Sequence, residues 1–307
     1  MNIHTADTAS VPRLARAKLL EAALKGEGNP ALVAQVQERK RAIDDLVQHG
    51  RRRRYAMGVQ QKLDRALEAY VRCNYTEWDP DAPEAERAKA NAETRRMIDD
   101  AEEGRGIDVV ILMAAANKES RAVWDRIRKT AESDMLKIVK PLPVVPFIER
   151  THGFGLPGLA AILAETGTLD GYANPAKLWS RLGFAPHDGH AMSTWRREKW
   201  RPRALTKEEW IDHPFKPQRY AFMFSLAKPL RDHQWIGAKK SDDGKGQPDG
   251  PYGQLYFDRR AYCEITHPDW TDGHRDKDAL RIMFKRLLVH LWEAWMDTAF
   301  CSRPECS

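Results

Sequence analysis

Cysteine is scarce in this chain. Cys73, Cys263, Cys301 and Cys306 are the only four in 307 residues, too few and too scattered for a disulfide framework, and such usage fits a reducing compartment. Cys301 and Cys306 have no second cysteine pair with which to complete a tetrahedral site, so no metal is predicted. Long apolar runs are missing as well. The longest, Val109 to Ala116, is eight residues, far short of the roughly 20 that cross a bilayer. The first ten residues, MNIHTADTAS, have neither the basic nor the apolar region of a secretory signal. The expectation is a cytoplasmic protein without a membrane partner. No repeat of fixed period and no low-complexity tract appears. The length leaves room for two modest domains.

Charge is present in both signs, with 50 Lys+Arg against 44 Asp+Glu for a net of +6. Its placement is more informative than its sum. Residues 187–260 hold 15 Lys+Arg against 10 Asp+Glu, nearly the whole excess. The densest part, Trp195 to Arg203, interleaves Arg196, Arg197, Lys199, Arg201 and Arg203 with Trp195 and Trp200. Cations neutralise phosphates and indoles stack on bases or sugars, so the run suits nucleic-acid binding. The competing reading is a solvated loop whose tryptophans pack on the core.

The first hundred residues read as helices. One runs from Pro12 to Lys25 and closes on Gly26. Asn29-Pro30 then supplies an N-cap followed by proline at the first helical position. Leu32, Val36, Ile43, Leu46 and Val47 recur near heptad spacing up to Gly50, where a left-handed cap is predicted to end that helix. A third is predicted over Arg52 to Asn74, with Tyr55, Val59, Leu63, Ala66, Leu67 and Tyr70 on one side. A fourth, from Glu84 to Glu103, has only Met97 and Ile98 as large apolar groups and reads as solvated or coiled-coil-like. The run Arg51 to Arg54 reads as a solvated face, since a positive helix start disfavours cations. A further helix from Ile107 to about Val139 stops at Pro141-Leu142-Pro143-Val144-Val145-Pro146, predicted to be an extended connector and a domain boundary.

Phe147 to Gly167 reads as helix, hairpin, helix. Gly153 and Gly155 flank Phe154, so the backbone can turn sharply with positive φ at both glycines while Phe154 pins the turn to the core. Pro157 opens the next helix, small residues Ala160, Ala161 and Ala164 alternate with Leu159, Ile162 and Leu163, and Gly167 ends it. Such a turn directs unpaired N–H groups outward at the positive pole of a helix, where they suit a phosphate oxygen. A contact of this kind grips the backbone without reading bases. The competing reading is an αα-corner that needs two glycines.

Gly153 through Glu165-Thr166-Gly167, Tyr172 to Trp179 and Leu182-Gly183-Phe184-Ala185-Pro186 together resemble the helix-hairpin-helix region of the transposases of bridge-RNA-guided insertion sequences and of Piv-type DNA invertases. Gly250-Pro251-Tyr252-Gly253-Gln254-Leu255-Tyr256, Asp258-Arg259-Arg260, His274 and Lys285 to Trp295 are similar to the C-terminal part of the same family. The family's full members carry a RuvC-like domain with four acidic metal ligands and a serine that attacks DNA. Here the only trace of a first acidic strand is Gly106-Ile107-Asp108-Val109, too close to the hairpin for a RuvC-like domain to fit between them. On the serine side the resemblance points to Ser193 as catalytic candidate, with Ser225 second, neither in a Ser-Gly-Gly-like context. His187, His190, His267 and His274 read as solvating loop histidines.

The fold predicted is mainly α. A coiled-coil-like helical arm (1–104) is followed by connecting helices and the proline connector (105–146), the helix-hairpin-helix (147–186), then a basic loop and C-terminal helical region (187–307). The function predicted is that of a transposase-derived nucleic-acid-binding protein of a mobile element. It would bind DNA or structured RNA through Gly153, Phe154, Gly155 and the basic stretch, without cofactor and without strand transfer of its own, and self-associate through its N-terminal helices. Two alternatives stand beside it: a serine recombinase whose acidic ligands and magnesium are completed by another chain, and a helical protein-interaction scaffold.

Overall fold

The computed structural model describes residues 10–184, 186–187, 190–191, 217–236 and 247–298, and among them the chain is almost wholly α-helical. Contacts divide it into two compact units, one of residues up to 47 together with those from 136 onward, the other of residues 48–135. The proline connector lies inside the first unit and marks no boundary between them.

Helix α1 (Ser10–Leu24) ends as the sequence predicts, with Gly26 at φ +85° and the N–H groups of Gly26 and Glu27 returning to Ala23 and Ala22 at 3.0 Å. Helix α2 (Pro30–Tyr75) opens on Asn29, whose Oδ1 accepts from the Ala31 N–H at 2.9 Å. The break expected at Gly50 is absent. Gly50 is buried within one 46-residue helix, because a mid-helix glycine costs only about 1 kcal/mol relative to alanine and the buried seam Ile43, Leu46, Ala56 continues across it.

In the second unit, the later part of α2, α3 (Glu84–Glu102) and the earlier part of α4 (Asp108–Val139) enclose a small core of Leu67, Val71, Ala101, Val110 and Ala114. Arg53 pairs with Glu132 at 2.8 Å, the Tyr55 and Trp124 rings meet at 5.7 Å, and Asp64 meets Arg121 at 3.3 Å. Partners advance along α2 as they recede along α4, so the two helices run antiparallel. Asp108 begins α4, and no strand precedes residue 186 among the described residues.

In the first unit, the proline segment is coiled where an extended connector was predicted. Leu142 and Val145 donate to the carbonyls of Val139 and Leu142 at 3.0 Å, because Leu142 and Val144 are drawn into the core. Helix α5 (Val145–Arg150) follows at once, then α6 (Leu156–Thr166), a 3₁₀ turn (Leu169–Gly171), α7 (Pro175–Arg181), α8 (Pro217–His233), α9 (Pro251–Thr266) and α10 (Asp272–Thr298). Two short antiparallel ladders join β1 (Pro186–His187) to β2 (His190–Ala191) and β3 (Trp235–Ile236) to β4 (Gln247–Pro248).

Helices α1, α7, α8 and α9 all pack on α10, whose buried stripe includes Leu280, Met283, Phe284, Leu287, Leu288, Leu291 and Trp295. One polar knot sits in this core. Asp170, with no exposed surface, accepts from Arg39 Nε and Nη2 at 2.9 and 2.7 Å, from Trp295 Nε1 at 2.8 Å and from Thr168 Oγ1 at 2.6 Å. It ties α2, the 3₁₀ turn and α10 together. Asp170→Leu is expected to destabilise the chain by about 3–5 kcal/mol, since it strands a buried guanidinium. The double variant Arg39→Met/Asp170→Leu should recover much of that loss. Urea denaturation at constant m-value measures both.

Candidate nucleic-acid interface

The hairpin between α5 and α6 is built from five residues. Thr151 Oγ1 donates to the Phe147 carbonyl at 2.8 Å and closes α5, and the Phe154 N–H returns to the Thr151 carbonyl at 3.0 Å. Phe154 is buried, as predicted, and its ring lies over Gly158, where a Cβ would come within 2.6 Å of it. Gly158 is thus a packing residue that sequence reasoning missed. Gly155 is exposed and caps α6, its carbonyl accepting from Gly158 and Leu159 at 2.9 and 3.2 Å. Gly167 ends α6 at φ +75°.

The two glycines of the turn differ from expectation. Only Gly153 has positive φ, at +82°; Gly155 is extended at φ −97°, ψ −179°, a conformation open to any residue. Gly153 is fixed by contact as well, since a Cβ there would lie 2.7 Å from His233 Cβ and 3.2 Å from the Leu230 backbone. The first glycine therefore seats the turn on α8, and the second forms the exposed face. There the N–H groups of Gly155 and Leu156 meet no backbone carbonyl among the described residues.

A residue without any local sequence signal locks this arrangement. Gln234, buried at the end of α8, donates from Nε2 to the His152 carbonyl at 2.8 Å. Its Oε1 accepts from the N–H groups of Tyr252 and Gly253 at 2.9 and 3.3 Å, and its own carbonyl accepts from Asp249 at 2.8 Å. Gly250 and Gly253 leave the space it fills, for a Cβ would fall 2.6 Å from Gln234 Oε1 or 2.0 Å from its carbonyl oxygen. The amide thus occupies the start of α9, whereas the start of α6 stays open.

Ser193, Arg196, Arg197, Lys199, Arg201 and Arg203 lie outside the described residues. Ser225 sits exposed on α8 with its hydroxyl donating to the Phe222 carbonyl at 2.6 Å. His187 and His190 are register partners across β1 and β2, His267 stacks on Trp270 at 4.1 Å, and His274 lies 5.7 Å beyond that ring. The buried Glu165 accepts from Arg219 Nε at 3.2 Å, and Asp258 from Gln254 at 2.7 Å. Among the described residues no group of three or more His, Cys, Asp or Glu is placed to hold a metal, and no helix is long and apolar enough to cross a membrane.

Between α9 and α10 lies a titratable cluster. Asp278 is buried, yet Arg281 and Arg259, the latter at 2.6 Å, hold it below the usual carboxylate range. Burial, reinforced by Arg281, pushes the Lys285 ammonium down to about 8 against the pull of Asp278, with Nζ 4.5 Å from the centre of the Trp179 ring.

Gly153→Ala should cost about 1–2 kcal/mol for its positive φ alone and more for the contact with His233, while Gly155→Ala stays within about 0.5 kcal/mol of the parent; denaturation midpoints decide. Between pH 8 and the unfolded lysine value near 10.4, the unfolded chain binds more protons at Lys285 than the folded one. The stability contribution of this group therefore rises with pH across that window, a rise that Lys285→Met should remove from the pH–stability profile.

No family model matches this chain, and no curated protein sequence or solved structure does either.

Proposed function

We propose that this chain binds nucleic acid through the phosphate backbone, without reading sequence, and that its contact centres on the open start of α6. The observation that carries this reading is the pairing of Gly153 with Gly155. Packing against α8 holds the turn rigid at the first glycine, while the second is exposed and leaves two N–H donors at the positive end of a helix dipole. The net charge of +6 and the basic Trp195–Arg203 stretch support the same class of partner, DNA or structured RNA. The resemblance of the hairpin and of the Gly250–Tyr256 segment to transposases supports an origin in a mobile element.

A second reading has its own observation. In the 48–135 unit, Leu112 is 69% exposed with the exposed Val109 one turn before it on α4, and Tyr55 and Val123 are exposed further along the same helix pair. This favours a protein contact for that unit, a second copy of the chain included.

Gly155→Asp separates binding from folding. Aspartate is a favoured N-cap, so the thermal midpoint should hold or rise, while a carboxylate at the donor site should weaken duplex binding by about tenfold or more. Unchanged affinity in fluorescence anisotropy would sink the α6 contact. Charge reversal at Arg196, Arg197, Lys199 and Arg201 should flatten log K against log salt by about 0.9 for each phosphate that is no longer neutralised. An unaltered slope would reduce the basic stretch to a solvated loop.

A further inference from the structure

Immediately after Gln234, Trp235 begins β3 and opens a separate feature. The end of α8, the β3–β4 ladder and the middle of α9 enclose an open cleft of about 730 Å³, within the roughly 300–1,000 Å³ typical of small-ligand sites. Its floor is aromatic. The Trp235 and Phe257 rings touch with centroids 6.0 Å apart and a 35° tilt, and Tyr256 meets Trp235 edge-on at 6.0 Å. Because the first two rings are in contact, a planar ligand would lie across them and not between them. Phe257 is 44% exposed, a large apolar face left to solvent.

The walls differ in commitment. Arg231 is held by Asp276 at 2.9 Å and Asp232 at 2.7 Å. Arg260 is shared between the Tyr256 hydroxyl and, at 3.3 Å, an Asp272 that is itself largely exposed, with the Glu264 carboxylate nearby, so an arriving anion can compete for its guanidinium fork. Exposed Gln247 and Glu264 add an amide and a carboxylate to the lining.

We propose that this cleft takes one unpaired nucleotide, its base lying across Trp235 and Phe257, its phosphate met by Arg260, and its polar edge served by Gln247 and Glu264. An aromatic floor, a cation able to change partners and mixed hydrogen-bonding walls match a nucleotide's base face, phosphate and polar base edge. A proline-rich segment would use the rings but has no anion for Arg260. The proposal rests on the nucleic-acid reading above, though not on the α6 contact.

The test uses the full chain and oligonucleotides carrying 2-aminopurine, either unpaired in a bulge or fully paired. The unpaired probe should bind about tenfold more tightly and lose fluorescence on stacking. Trp235→Leu should abolish that preference and leave fully paired duplex affinity unchanged. Phe257→Leu, at an exposed position, and Arg260→Gln, at a half-buried one, should lower the preference several-fold and guard against a Trp235 variant that does not fold. Equal affinity for the two probes, or a preference that survives in all three variants, overturns the cleft. Should no duplex bind, titration with adenosine monophosphate decides: saturable binding lost in Arg260→Gln keeps the cleft while the α6 reading fails, and absence of binding ends both. Saturable binding of a proline-rich peptide without any binding of the nucleotide reassigns the cleft to a peptide and overturns the proposal.

Discussion

A carboxylate with no access to water is tolerable only when its charge and lone pairs are met, and Asp170 has two guanidinium donors, an indole and a hydroxyl. The first unit is arranged around that requirement. Arg39 must come from α2, Trp295 from α10 and Thr168 from the residue before the 3₁₀ turn, so three distant stretches are fixed in register by one side chain. Arg13 and Arg16 of α1 add Asp297, and Arg13 adds Glu293, on the same helix α10, at separations of 2.9 to 3.4 Å. Being partly exposed, these pairs contribute little by comparison. The tryptophans of this region follow the same rule of satisfied donors: Trp292 reaches the Tyr172 carbonyl at 2.8 Å and Trp179 the Lys285 carbonyl at 3.3 Å.

The hairpin inherits its rigidity from that core indirectly. Helix α8 packs on α10, and the chain where it ends then sets the turn through His233, the last residue of α8, the α9 start through Gln234 and the cleft through Trp235, the first residue of β3. Three consecutive positions thus serve three sites. Two different uses of glycine meet here. Gly153 combines an unusual φ with a close approach, whereas Gly253 takes ordinary helical angles and is excluded from carrying a Cβ solely by the Gln234 carbonyl.

What the sequence made legible was local. Asn29-Pro30, Gly26 and Gly167 start and stop helices through capping chemistry contained within a few residues, and the structure places them as read. Gly50 misled because its cost is small and the apolar seam on either side of it is continuous. Arg39 lies in the sequence between the apolar positions Val36 and Ile43 of α2, but its partner is 131 residues away, so no local pattern announces the pair. The turn at Gly153 and Gly155 was recognisable as a turn, yet the roles of its two glycines depend on α8, which no local pattern reveals. Gln234 and the Trp235–Phe257 floor are tertiary juxtapositions of the same kind. Glutamine is a common surface residue, and nothing in its neighbours announces that it will be buried with its amide committed at both ends.

The 48–135 unit interrupts the first unit in the sequence, and it begins and ends inside helices, part-way along α2 and near the end of α4. Such an insertion obeys an arithmetic that loop insertions escape. Residues added to or removed from α2 rotate everything beyond them by about 100° each, so a change of length preserves the buried seam only in near-whole turns. Because the pairing with α4 is antiparallel, it must be matched there by an equal change. Variation in this part of the molecule should therefore arrive as paired steps of about seven residues, two turns of helix, one step in each helix, while single-residue insertions are confined to 76–83 and 103–107, where the chain is already turning.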